Sequence, residues 1–211
     1  MGADVASPRE RYRAQVQAEI KQRAWEQLAT TGVSALSLKA IAQQLGMSGP
    51  ALYRYFASRD ELVTALIRDA YRSLADTMRS AYDAGTDVAG LARAVRAWAL
   101  ADPQRYLLIY GTPVPGYHAP EDTTAISREI MTTLLDVYRS VDVPSTGRPF
   151  ESHLDHHRDW AGDPSVPVAT LRRALAFWTR LHGILSLELA GHFTGMAFDP
   201  ARLFDDELAD L

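Results

Sequence analysis

The stretch SLKAIAQQLGMSGPALYRYFASRDEL, residues 37–62, decides the fold. Leu38, Ile41, Ala42 and Leu45 recur at i, i+3, i+4 and i+7, the buried face of an amphipathic helix, so a short helix is predicted from about Ser37 to Leu45. Gly46-Met47-Ser48 breaks it, and Ser48 stands where the N-cap of the next helix belongs. That next helix, predicted from about Gly49 to Ala57, buries Leu52 and Phe56 four residues apart. Ser58-Arg59-Asp60-Glu61 has the form of a capping box. It opens a longer helix to about Ala84, with Leu62, Leu66, Ala70, Leu74 and Met78 as its apolar stripe.

The same punctuation extends in both directions. Upstream, Ser7-Pro8-Arg9-Glu10 is a second capping box with proline at the first helical position. The helix it opens carries Val16, Ile20, Ala24 and Leu28 on one face and stops at Gly32. Downstream, helices are predicted over Val88–Ala101, Pro103–Tyr110, Glu121–Val141 and Val168–His192, with a last one from Pro200. Prolines and glycines forbid regular structure over 111–120, and four prolines make 142–167 a loop around at most a short helix. No segment alternates as a strand would, so the fold class is all-α. The 211 residues fit one or two domains, and the division is drawn at 1–60 and 61–211.

Composition excludes several functions. With no cysteine there is no disulfide, thiol nucleophile or Cys-based metal site. Neither a signal peptide nor a run of apolar residues long enough to span a bilayer is found, so the expectation is a soluble cytoplasmic protein without a membrane partner. No nucleophile elbow, phosphate-binding glycine loop or paired-carboxylate motif points to an enzyme, and no cofactor is implied. His153, His156 and His157 have helical spacing for shared coordination, but no fourth ligand has a fitting position, so they read as a solvated polar segment and no metal is expected. A formal net charge of −4 speaks at first against a nucleic-acid partner. The charge is unevenly divided. Residues 1–59 carry eight Lys or Arg against four Asp or Glu, a balance of +4, whereas residues 60–211 carry fourteen against twenty-two, a balance of −8. A basic head on an acidic body suits a phosphate partner at one end only.

Two short helices joined by a tight break fit a helix-turn-helix, in which the second helix enters the major groove. Periodicity alone serves an ordinary helical hairpin equally well. The residues left exposed shift the balance: Gly49, Pro50, Tyr53 and Arg54 lie opposite Leu52 and Phe56, and an arginine there can pair bidentately with guanine. At this point residues 20–66 resemble the DNA-binding domain of the tetracycline-repressor (TetR) family. The resemblance is carried by Ile20, Ala24, Leu28 and Gly32, by Ser37-Leu38-Lys39-Ala40-Ile41-Ala42, by Leu45-Gly46-Met47-Ser48, by Leu52-Tyr53-Arg54-Tyr55-Phe56 and by Arg59-Asp60-Glu61-Leu62. It implies that Ser37, Tyr53, Tyr55 and Arg59 hold phosphates while Lys39, Gly49, Pro50, Ala51 and Arg54 face base edges. Tyr55 and Arg59 stand where the family often has histidine and lysine, and both keep the hydrogen-bonding role.

The resemblance also implies that the C-terminal half dimerises and binds a small ligand. The segment 168–192 is apolar nearly all round, as a helix buried on more than one face must be, and Gly183 would permit a close crossing. Gly183, Leu185 and Leu189 are therefore the candidate dimer residues. Trp178-Thr179-Arg180-Leu181-His182-Gly183 resembles the Trp…His-Gly (WHG) signature of one C-terminal subclass of the family, and Tyr110, Trp178 and His182 are the candidate ligand-pocket residues. The expectation is a homodimeric regulator, most often a repressor in this family, that binds a palindromic double-stranded DNA operator and is released by a small-molecule effector. The competing reading is a helical small-molecule-binding protein or enzyme with a vestigial DNA-binding head. It would need catalytic residues in the C-terminal half, and none stands out.

Overall fold

The computed structural model describes residues 7–209, and among them the regular structure is helical, with no strand. The chain divides into two compact units. The first comprises residues up to Asp69 together with Pro113–His118, and the second comprises Ala70–Thr112 and Ala119–Leu211. The division falls inside a helix, later than the 60/61 boundary expected from the sequence.

In the first unit, α1 (Pro8–Thr31) opens on the expected capping box: Glu10 N–H donates to Ser7 Oγ at 3.3 Å and Ser7 N–H to the Glu10 carboxylate at 2.7 Å. Its stop at Gly32 has φ +75°, a conformation only glycine adopts without strain. A single 3-10 turn (Val33–Ala35) leads to α2 (Leu38–Gln44), capped by Ser37, whose hydroxyl accepts from Ala40 N–H. The break after α2 is a Schellman motif. Met47 N–H donates to Ala42 O and Gly46 N–H to Gln43 O, with Gly46 at φ +64°.

The next helix is shorter than its periodicity indicates. α3 spans Gly49–Leu52, and the chain then runs through tighter bonds from Arg54 N–H to Ala51 O and from Tyr55 N–H to Leu52 O. These i→i+3 links wind the turn more tightly, so Leu52 and Phe56 are both buried without a helix reaching Ala57. Ser48 occupies the N-cap position with extended backbone, but its side chain makes no capping bond. α4 (Arg59–Asp83) is capped by Ser58, which accepts from Glu61 N–H at 3.0 Å. The returning bond comes from Ala57 N–H to Glu61 at 2.6 Å, one residue before the usual donor. The buried apolar side chains of this unit include Val16, Ile20, Ala24 and Leu28 of α1, Leu38, Ile41 and Ala42 of α2, Leu36, Leu52 and Phe56, and Leu62, Val63, Leu66 and Ile67 of α4.

The second unit contains the rest of α4, then α5 (Val88–Ala101), α6 (Pro103–Tyr110), α7 (Glu121–Tyr138), α8 (Pro149–His156), a 3-10 turn (Asp159–Ala161), α9 (Val168–Leu189) and α10 (Pro200–Ala209). α9 packs against α5, α6, α7, α8 and α10 and is the axis of the core, burying Leu171, Ala174, Phe177, Leu181 and Leu185. It stops at Leu189 and does not reach His192. Gly191, at φ +76°, closes another Schellman motif in which His192 N–H donates to Leu187 O.

The proline-rich stretch is ordered by one carboxylate. Glu151, only 6% exposed, accepts from the hydroxyls of Ser145 (2.7 Å) and Thr146 (2.7 Å), from Gly147 N–H (3.1 Å) and from Arg172 Nε of α9 (2.9 Å). The hydroxyl donors first, and the guanidinium after them, hold its pKa down at about 2. A depressed carboxylate stabilises the fold fully above its unfolded pKa, near 4.5, and that contribution is lost as pH falls from there toward 2. Thermal melts should therefore fall less steeply through this window in Glu151→Gln than in wild type. Equal slopes would show that the carboxylate does not titrate with unfolding.

Candidate nucleic-acid interface

A one-turn helix with its two apolar anchors inward has a fixed outward face. Pro50, Tyr53 and Arg54 are exposed, Tyr53 by 54%, while Gly49 and Ala51 are half-buried beside them. Lys39, on the first turn of α2, is also exposed. Lys39, Gly49, Pro50, Ala51 and Arg54, expected from the sequence to face bases, thus come from the first turn of α2, the single turn of α3 and the tighter turn after it, within one small unit. Arg54 is exposed, and Gly49 leaves open space where a Cβ would stand. Such a surface can approach a base edge closely and offer it a bidentate donor.

The proposed phosphate-holding residues divide into two kinds. Tyr53 points its ring to solvent. Ser37 is half-buried and its hydroxyl already accepts from Ala40 N–H, which leaves its hydrogen available to an acceptor. Arg59 is engaged inside the unit: its guanidinium donates to the carbonyl of Val33 and lies 3.4 Å from Asp60. It therefore fastens the start of α4 to the turn after α1. Tyr55 is half-buried, with the Arg13 guanidinium 5.5 Å from its ring centroid. Arg13 also donates through Nη2 to the Arg54 carbonyl at 3.1 Å. Sequence reasoning missed this residue, because its partners lie forty-one positions away and no local pattern marks it.

The candidate pocket residues of the second unit meet one another. The His182 ring lies 4.1 Å from that of Tyr110 and 4.2 Å from that of Trp178, centroid to centroid, and Tyr110 and Trp178 meet edge-on at 6.1 Å. Tyr106, fully buried and not among the three candidates, joins them through polar contacts. Its hydroxyl is hydrogen-bonded to His182 Nδ1 at 2.9 Å and to Ser186 Oγ at 3.0 Å. His182 Nε2 is buried without a hydrogen-bond partner among the described residues. Burial lowers the His182 pKa to about 4, so the ring is neutral near pH 7, and burial raises the Tyr110 hydroxyl well above its usual value. This is an aromatic cluster with few, specific polar atoms.

Of the three candidate dimer residues, Leu185 is fully buried in the core of its own chain and is withdrawn from any partner surface. Its place in the period points inward between Leu181 and the end of the helix. Gly183 is exposed with nothing within 4 Å of where a Cβ would stand, and Leu189 is half-buried. Leu187, 44% exposed, lies one turn beyond Gly183 on the same side. No described helix is long and apolar enough to cross a membrane.

Comparison with known proteins agrees with this geometry. Residues 20–66 match the family model of bacterial regulatory proteins, tetR family, and residues 88–211 match that of the tetracyclin repressor-like C-terminal domain. The chain is 38% identical over 209 residues to the HTH-type transcriptional regulators Rv1816 of Mycobacterium tuberculosis and Mb1846 of Mycobacterium bovis, covering 92% of this chain and 89% of each relative. Among solved structures, the crystal structure of the protein SCO4313 superposes with a TM-score of 0.90 at 63% identity, covering 97% of this chain and 98% of that one. A protein from Rhodococcus sp. RHA1, 23% identical, shares the fold with a TM-score of 0.64 over 93% of this chain and 95% of its own.

The buried imidazole makes stability depend on pH. A histidine whose folded pKa is lowered to about 4 from 6.5 contributes fully above 6.5, and its contribution is lost as pH falls from 6.5 toward 4, because the unfolded chain takes the proton first. The loss should reach roughly 3 kcal/mol at the acid end. Chemical denaturation at pH 7 and pH 4.5 should show a smaller acid penalty for His182→Phe than for wild type. An identical penalty would place the titration elsewhere.

Proposed function

The chain belongs to the tetR family of bacterial regulatory proteins and is a DNA-binding transcriptional regulator, not an enzyme, and from that premise we propose that it acts as a homodimeric, effector-released repressor. One observation carries the reading: a one-turn helix and the tight turn after it, whose anchors Leu52 and Phe56 are buried while Pro50, Tyr53 and Arg54 face solvent. In this reading α3 enters the major groove and α2 lies across the backbone. Lys39, Gly49, Pro50, Ala51 and Arg54 face base edges. Ser37 and Tyr53 hold phosphates directly, whereas Tyr55 and Arg59 orient the elements that do.

Two-fold symmetry of a homodimer predicts a palindromic operator with half-site centres about one helical turn or more apart. The exposed side of α9 at Gly183 and Leu187 supports a close, partly apolar crossing with a second copy. The cluster of Tyr106, Tyr110, Trp178 and His182 supports a small, largely apolar effector with one or two polar groups. An operator occupied near a promoter excludes polymerase, and an effector that binds the DNA-free conformation better would relieve that block.

Selection of bound duplexes from a random-sequence library should recover a palindrome, and recovery of no preferred sequence would overturn the reading. On that operator, Arg54→Ala should cost about 1–3 kcal/mol and relax preference at one position per half-site. Uniform weakening on all sequences would remove Arg54 from base reading.

A further inference from the structure

The first two turns of α1 carry a surface that the reading above does not use. The buried stripe of this helix, Val16, Ile20, Ala24 and Leu28, continues toward its start through Arg13, Tyr12 and Arg9 at the same i, i+3, i+4 spacing. Val16 is the first buried position, and every residue from Ser7 to Gln15 is exposed, Tyr12 by 64%. The face that is apolar where α2 and α4 cover it thus becomes cationic and phenolic where α1 outruns them. Its direction is fixed by Arg13, which donates to the Arg54 carbonyl and lies over the Tyr55 ring, so the face borders the reading turn. Arg9 stands one turn further out, about 6 Å along the axis. The nearby Glu10 lies off this face and is held by the Ser7 amide in the capping box. The family model begins at residue 20, so these residues lie outside what the match to it covers.

We propose that the Arg9–Tyr12–Arg13 face of α1 is a second contact surface for the DNA backbone, continuous with the reading turn and joined to it through Arg13. The proposal rests on the DNA-binding reading above. Two features favour this occupant: the face carries two arginines in the basic part of the chain, residues 1–59, and it adjoins the turn proposed to meet base edges. Arg9 and the Tyr12 hydroxyl take phosphate oxygens flanking each half-site, contacts that set affinity and register without reading sequence. Arg13 is a positioning residue. It holds the Arg54 backbone and the Tyr55 ring, so its loss loosens the reading turn.

The test measures binding of the full chain by fluorescence anisotropy across a salt series, on the selected operator and on a random-sequence duplex. Arg9→Ala should lower the slope of log affinity against log salt by about 1 on both duplexes. Tyr12→Phe, which removes only the hydroxyl, should weaken both by a few-fold. Arg13→Lys keeps the charge but cannot bridge carbonyl and ring. It should lose on the order of tenfold on the operator, with the salt slope and the random-duplex affinity unchanged. A wild-type slope for Arg9→Ala would overturn the contact surface, and an Arg13→Lys variant equal to wild type would overturn the positioning role. All three positions are exposed, so circular dichroism melts should match wild type. If the wild-type chain binds neither duplex, the DNA-binding reading falls and this one with it; if it binds and the variants do not differ, this one alone falls.

Discussion

The exposed face of α3 and of the turn after it depends on the burial of Leu52 and Phe56. A helix of one turn has no stability of its own, since nucleation costs more than its few hydrogen bonds return. α3 exists because these two side chains are anchored in the core of α1, α2 and the start of α4, each worth about 1.5–3 kcal/mol of burial. The tight bonds after Leu52 bring Phe56 back into that core within a single turn. Everything outward follows from that seating. Tyr53 and Arg54, between the two inward anchors, and Pro50, just before the first of them, are left facing solvent.

Local chemistry was legible in the sequence wherever a residue acts on its near neighbours. Ser7 with Glu10, Ser37, Ser58 with Glu61, and the glycines at 32 and 46 each fix a helix end through backbone groups a few positions away. The buried stripes of α1, α2 and α4 follow from periodicity for the same reason. Where periodicity ran past the true end, as at Ala57 and His192, a competing local geometry stopped the helix. At α3 it was a tightened turn, and at α9 the left-handed Gly191.

What the sequence did not disclose are bonds between distant positions. Arg59 reads as a phosphate ligand until its guanidinium is seen on the Val33 carbonyl, and Arg13 reads as one exposed arginine among several until it is seen bridging Arg54 and Tyr55. Leu185 reads as a dimer-facing leucine in a helix apolar nearly all round, but α9 packs against five other helices of its own chain and that side faces inward. The same crowding makes His182 informative. A histidine on an apolar face is ordinarily a satisfied core residue. Here one nitrogen is bonded to Tyr106, the other is buried without a partner among the described residues, and three aromatic rings surround it.

The chain path joins these two chemistries. It leaves the DNA-binding unit between Asp69 and Ala70, returns to it for Pro113–His118, and leaves again at Ala119. The returning segment follows directly on α6, whose last residue is Tyr110, with Gly111 and Thr112 between. A ring that packs on His182 and Trp178 is thus tied by a short stretch of main chain to a segment of the unit that reads DNA. Under the function proposed above, thermodynamic linkage sets what an effector at this cluster must do. Filling it equally well in the DNA-bound and free states would change nothing, however tight the binding. Only a difference in its affinity for the two states moves the equilibrium, and operator DNA must weaken effector binding by the same factor. A neutral imidazole and un-ionised tyrosines make the cluster costly for a bare charge, so under that proposal the difference arises from shape and from the few polar atoms around Tyr106 and His182.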